Sequence, residues 1–168
     1  PGNRKHRIYF LDEVFGSAPG FIDEFAPKYK KEVNLPFDVL YHPKSLKIRV
    51  IDRLVEAGVK EINFGIQTGS DKIRNDIFTR PGSNEEIIEL TTAISKHNVN
   101  IRYDLILDND FETKETLKEC INLILQLPKP VTFNTFSLQH FPDYPMTKMA
   151  IEAGHVTEEE LDDWPTMM

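Results

Sequence analysis

Short apolar runs and helical patterns alternate along the chain. Five runs have strand length and are rich in β-branched and aromatic residues: 7–11, 37–41, 61–66, 101–107 and 131–138. Between them, apolar residues recur at helical spacing. Leu117, Cys120, Ile121 and Ile124 predict a helix with one apolar face, stopped by Pro128. Ile48, Ile51, Leu54 and Val55 predict another, with Gly58 at the left-handed position that ends it. Ser83 with Glu86 forms a capping box opening a helix that runs to about Lys96, and Thr157 with Glu160 forms a second box. Residues 19–31 predict a weaker helix, broken in its middle by Pro27.

Strand and helix alternating at this spacing predict right-handed crossovers and an α/β fold with a parallel sheet, either doubly wound or part of a (β/α) barrel. No Gly-x-Gly-x-x-Gly follows the first strand, which disfavours a Rossmann dinucleotide site. The length of 168 residues suits one domain with a real core. No apolar run reaches membrane-spanning length, and no signal-type stretch follows the first residues, so a cytoplasmic, non-membrane protein is expected. A net charge of −7 disfavours a generic nucleic-acid surface. The acidic run Glu158 to Glu160 with Asp162 and Asp163 reads as a solvated helix start. The single cysteine, Cys120, excludes a disulfide framework, a zinc ribbon or a cysteine-ligated cluster within this chain. The scattered histidines carry no metal-ligand spacing, so no metal site is expected.

In parallel α/β folds, ligands bind beyond the carboxyl ends of the strands. Every predicted strand delivers polar groups there: Asp12 and Glu13, then His42, then Gly65-Ile66-Gln67-Thr68-Gly69-Ser70, then Asp108 and Asn109, then Gln139 and His140. Asp104 lies inside an apolar run, where a carboxylate needs a partner or a ligand. An ion pair to Arg80 or Arg102 is the structural alternative to a binding role. A lyase or isomerase using Asp104 as a base would require a facing Lys or His, and no strong candidate stands out.

Together these motifs resemble the radical S-adenosylmethionine (SAM) superfamily, in particular the branch that often carries an N-terminal cobalamin-binding domain. The residues that carry the resemblance are Asp12-Glu13-Val14-Phe15, the Gly65 to Ser70 turn, Thr79-Arg80, Tyr103 to Asp108 with Phe111-Glu112-Thr113, and Phe136 to Pro142. The resemblance implies a partial (β/α) barrel of about five parallel strands whose first β/α unit is missing, so that residues 1–168 form a single incomplete barrel domain. In that family a Cys-x-x-x-Cys-x-x-Cys loop binds a [4Fe-4S] cluster. SAM on the open iron is reductively cleaved to a 5′-deoxyadenosyl radical. The resemblance therefore implies a parent oxidoreductase or transferase of unknown substrate, using SAM, a [4Fe-4S] cluster and, through an upstream domain, cobalamin. This chain lacks the three-cysteine loop. It is expected to be a fragment, inactive alone, with no cofactor bound; a cluster-free barrel serving as a binding or scaffold domain is the alternative. By position, Asp12, Glu13, Gln67, Arg80 and Asp104 match SAM-binding residues, while Tyr41, Ser70, His140 and Phe141 are candidates for adenine or substrate contacts. Bare strands at both sheet edges predict self-association.

Overall fold

Every expected strand forms in the computed structural model, which describes residues 6–162. The strands are β1 (Ile8–Tyr9), β2 (Phe37–Tyr41), β3 (Val59–Gln67), β4 (Asn100–Asp108) and β5 (Thr132–Ser137). They lie side by side in chain order and all neighbours run parallel. The helices between and after them are α1 (Phe21–Glu32), α2 (Ile51–Ala57, led in by a 3-10 turn at Ile48–Val50), α3 (Asp71–Asp76), α4 (Asn84–Ser95), α5 (Lys114–Gln126), α6 (Pro145–Glu152) and α7 (Glu158–Asp162).

The strand order distinguishes the two architectures. A doubly wound sheet reverses direction at a switch point and carries helices on both faces. Here each crossover steps the same way, so the helices gather on one face. The burial pattern agrees. Phe37, Val39, Tyr41, Ile62, Phe64, Ile66, Ile101, Tyr103 and Leu105 point to one face and are buried. Asn63, Gly65, Arg102, Asp104, Ile106 and Asn134 point to the other and are partly open. The result is a curled half-barrel with an apolar outer core and a polar concave face.

The capping box of Ser83 and Glu86 is present at α4, and Gly58 ends α2 at φ 113°. Thr157 and Glu160 also exchange both capping bonds. Asp163 lies outside the described residues. Helices α3 and α6 carry no periodicity long enough to announce them.

Two expectations need correction. Pro27 does not break α1, which runs unbroken for 12 residues. Pro27 is exposed, and so is Asp23, whose carbonyl loses its helical N–H partner at the proline. The opposite side buries Ile22, Ala26 and Tyr29. Phe25 meets Phe10, Phe15 and Phe37 edge-on at 5.7, 5.1 and 5.8 Å. A proline in a helix costs about 3 kcal/mol. Burying one large apolar side chain returns roughly 1.5–3 kcal/mol, so several outweigh it. The second correction is in α5. Cys120 and Leu123 are buried, but Leu117 and Ile121 are 38% and 56% exposed. The apolar arc of the helix is wider than its contact with the core.

No described helix is long and apolar enough to cross a membrane.

Candidate functional site

Asp104 sits at the middle of β4 on the concave face. Its two carboxylate oxygens are held from the two neighbouring strands. Asn63 Nδ2 on β3 donates to Oδ2 at 3.0 Å, and Asn134 Nδ2 on β5 donates to Oδ1 at 2.8 Å. Neither arginine considered from the sequence pairs with it. Arg102 reaches Glu61 instead, at 3.0 Å, and so closes the amino-terminal part of the face together with the Arg7–Asp38 pair. The asparagines carried no sequence signal: an amide inside a strand does not announce which neighbour it will meet across a sheet.

Gly65 stands beside Asp104 in register. The ladder slips between Gly65 and Gln67, and Gln67 adopts φ 63°. This turns the Gln67 side chain back over Gly65. A Cβ on Gly65 would lie 2.8 Å from Gln67 Nε2 and 3.2 Å from Arg80 Nη1. The missing side chain is thus the space in which an amide and a guanidinium converge beside a carboxylate. Among the described residues Arg80 has no ion-pair partner. It also lies close enough to His42 that burial, then Arg80, Arg74 and Lys44, hold the imidazole below its ordinary value.

The loop carrying this arrangement is fixed by Arg74, a residue the sequence did not single out. Its side chain is 2% exposed. It donates to the carbonyls of Ile66 (3.3 Å), Thr68 (2.6 Å) and Gly82 (3.5 Å), to Asp71 Oδ1 (2.6 Å) and to Asn84 Oδ1 (2.6 Å). Asn84 Nδ2 in turn donates to the Gly69 carbonyl at 2.7 Å. The exit of β3 is therefore tied to the start of α4, and Arg80 lies between them. An arginine on a short helix normally reads as surface, and nothing in its spacing contradicts that.

The remaining expected site residues are more dispersed. Asp12 and Glu13 are exposed just beyond β1, and among the described residues no hydrogen bond or ion pair joins them to Gln67, Arg80 or Asp104. Tyr41 is buried at the end of β2, with a hydroxyl that has no hydrogen-bond partner and is pushed well up by burial. Ser70 is also fully buried. Its N–H donates to Thr68 Oγ1 at 3.1 Å, and its hydroxyl has no partner. His140 Nε2 meets Asp110 Oδ2 at 2.6 Å, joining the loops after β4 and β5. Phe141 is half exposed, its ring 5.9 Å from that of Tyr144.

The donor set at Gly65, Gln67, Arg80 and Asp104 fits a ligand with hydroxyls and an anionic group, as SAM has. An iron–sulfur cluster does not fit this chain. Its ligands are thiolates, and the one thiol present, Cys120, is 3% exposed and raised by burial. Among the described residues no group of three or more His, Cys, Asp or Glu side chains could hold a metal ion.

Comparison with known proteins follows the same line. The family model of the radical SAM superfamily matches residues 5–124. No curated protein matches the chain. Among solved structures, it is similar to the radical S-adenosylmethionine methyltransferase TsrM from Kitasatospora setae, with cobalamin and a [4Fe-4S] cluster bound. The TM-score is 0.70 at 17% identity, covering 88% of this chain and 28% of that one. It is similar to the cobalamin-dependent S-adenosylmethionine radical enzyme OxsB, with aqua-cobalamin and S-adenosylmethionine bound, at TM-score 0.60 and 20% identity over 95% of this chain and 24% of that one. Coproporphyrinogen III oxidase (HemN) from Escherichia coli gives TM-score 0.61 at 13% identity, covering 91% of this chain and 35% of that one. The chain thus spans about a quarter to a third of these enzymes' length. With its family model matched over most of its length and its half-barrel shared with these enzymes, the chain belongs to the radical SAM superfamily.

Proposed function

We propose that this half-barrel is the SAM-binding part of a radical SAM enzyme whose cluster ligands lie outside these 168 residues. The observation that carries the reading is the convergence of Gln67 Nε2 and Arg80 Nη1 over Gly65, beside Asp104. Asp104 and Gln67 would accept from and donate to the ribose hydroxyls. Arg80, which pairs with no carboxylate among the described residues, would hold the carboxylate of the amino-acid arm. Asp12 and Glu13 would take its ammonium, and His140 and Phe141 would border the adenine or the substrate; Tyr41, on the helix-covered face, and the fully buried Ser70 stay out of reach of a ligand on the concave face. With a cluster supplied from outside these residues, SAM held here would provide the sulfur–carbon bond whose cleavage starts radical chemistry. The parent enzyme acts as an oxidoreductase or transferase in the cytoplasm, with a cobalamin domain as its natural neighbour. This chain alone does not cleave SAM, and it self-associates through its edge strands.

Calorimetric titration with SAM tests the reading. The chain should bind weakly, because chelation to iron is absent, and Arg80→Ala should abolish the residual heat. Tight binding by the chain alone, or residual binding indifferent to Arg80→Ala, would overturn it. The buried state of Cys120 favours one other reading, a cluster-free barrel used as a scaffold. That reading predicts no SAM binding even in a longer chain supplied with iron and sulfide.

A further inference from the structure

The Asp104 carboxylate is not a free acceptor. It is gripped at both oxygens by amides from the strands on either side, and the grip spans three strands of the concave face. Asn134 stands directly opposite Asp104 in the ladder, whereas Asn63 reaches it diagonally from the position paired with Arg102. Both donors are neutral. The clamp therefore fixes the plane of the carboxylate without placing a cation against it. A carboxylate has about four acceptor positions, and the clamp uses two. The other two remain for a ligand. Without the clamp, Asp104 would rotate freely or swing toward Arg80, the cation above Gly65 that has no ion-pair partner among the described residues.

We propose that Asn63 and Asn134 are positioning residues. They hold Asp104 so that one remaining acceptor on each oxygen meets adjacent hydroxyls of a nucleoside, and they keep Arg80 free for the ligand's anionic group. This rests on the reading of the site given above. Asn63 and Asn134 touch Asp104 rather than the ligand, so their effect should depend on the hydroxyls that Asp104 receives.

The test is titration of the full chain with adenosine and with 2′,3′-dideoxyadenosine, read by protein NMR at millimolar nucleoside. Asn134→Leu keeps the volume and removes the donor, and it lies on an edge strand where folding is least at risk. Asn134→Gln keeps an amide, and Asn63→Leu tests the other side. The expected result is adenosine binding about tenfold weaker in Asn134→Leu and Asn63→Leu, the order expected for losing hydrogen bonds at a charged group. Partial recovery should follow in Asn134→Gln, and dideoxyadenosine should bind all four proteins equally. Should adenosine bind the leucine variants as well as the unaltered chain, the clamp is refuted while the nucleoside site stands. Equal weakening for both nucleosides would show a merely structural role and also refutes it. If the unaltered chain shows no shifts near Asp104 with either nucleoside, the site reading itself fails, and the proposal with it.

Discussion

Gly69 lies directly against the backbone of Cys120: a Cβ built on Gly69 would stand 2.2 Å from Cys120 Cα and 2.8 Å from its amide nitrogen. The contact is between backbone and backbone, so no side chain can swing aside. It seats α5 on the exit of β3, the loop that carries the candidate site. Gly69→Ala should therefore force α5 away. Overpacking of this kind costs about 1–3 kcal/mol, occasionally more. Urea unfolding should show a lowered midpoint with an unchanged slope, and a midpoint equal to that of the unaltered chain would refute the contact.

Arg74→Leu should be among the most damaging single changes. It strips partners from three carbonyls and two side chains at once, and it leaves Asp71 without its cation. Asp71 is 43% exposed and can be solvated, so the damage falls on the buried acceptors, each costing about 1–3 kcal/mol when left unsatisfied. Arg74→Lys should recover little, since an ammonium cannot reproduce the fork. Thermal melts of the two variants compare them directly.

Cys120 should be inert. Burial raises its thiol and suppresses the thiolate that reacts. An aromatic disulfide reagent should titrate no thiol in the folded chain and one in denaturant. Iron and sulfide should produce no charge-transfer absorption with this chain.

The His42 imidazole is held below its ordinary value of 6.5 by burial and by Arg80, Arg74 and Lys44. A lowered histidine takes its proton more readily in the unfolded chain. Its stabilising contribution is therefore full above about pH 6.5 and is lost as the pH falls from there toward the folded value. The carboxylates held below their ordinary value of 4.5, Glu85, Glu86 and Glu160, lose their contribution at lower pH than this. His42→Gln should flatten the decline of the melting temperature across that window. An identical slope in both proteins would contradict this.

Pro27→Ala should stabilise the chain, by about 1–3 kcal/mol, because alanine restores the bond to the Asp23 carbonyl in a helix already held by its aromatic face. Calorimetric melting measures the gain, and a loss would show that the proline serves the unfolded state more than it harms the helix.

The strands were legible because a buried strand must be apolar on the helix-covered side, and Ile62, Phe64, Ile66, Tyr103 and Leu105 meet that demand in order. The residues alone left the winding direction open. Periodicity records which side of a strand is buried, not on which side the next strand is added. Only the resemblance favoured the barrel. Gln67, Arg80 and Asp104 were singled out from the sequence, and the structure brings them to one place. Their support was not visible beforehand. Asn63, Asn134 and Arg74 act across strands and loops, through distances of 41 and 30 residues in the case of the two asparagines. A polar residue gives no local sign of a partner that far away. Pro27 was misread for a related reason: a local penalty was weighed without the tertiary packing that overrides it.

The chain-order sheet also bears on how the molecule comes to fold. Each strand pairs only with its immediate neighbours along the chain. No strand must wait for a later one to be inserted between it and its neighbour. Loop closures stay short, and the curled sheet can lengthen by one unit at a time as the chain leaves the ribosome. The amide clamp on Asp104 is the exception to this order. It needs β3, β4 and β5 together, so the nucleoside-facing geometry is completed only when the last strand docks.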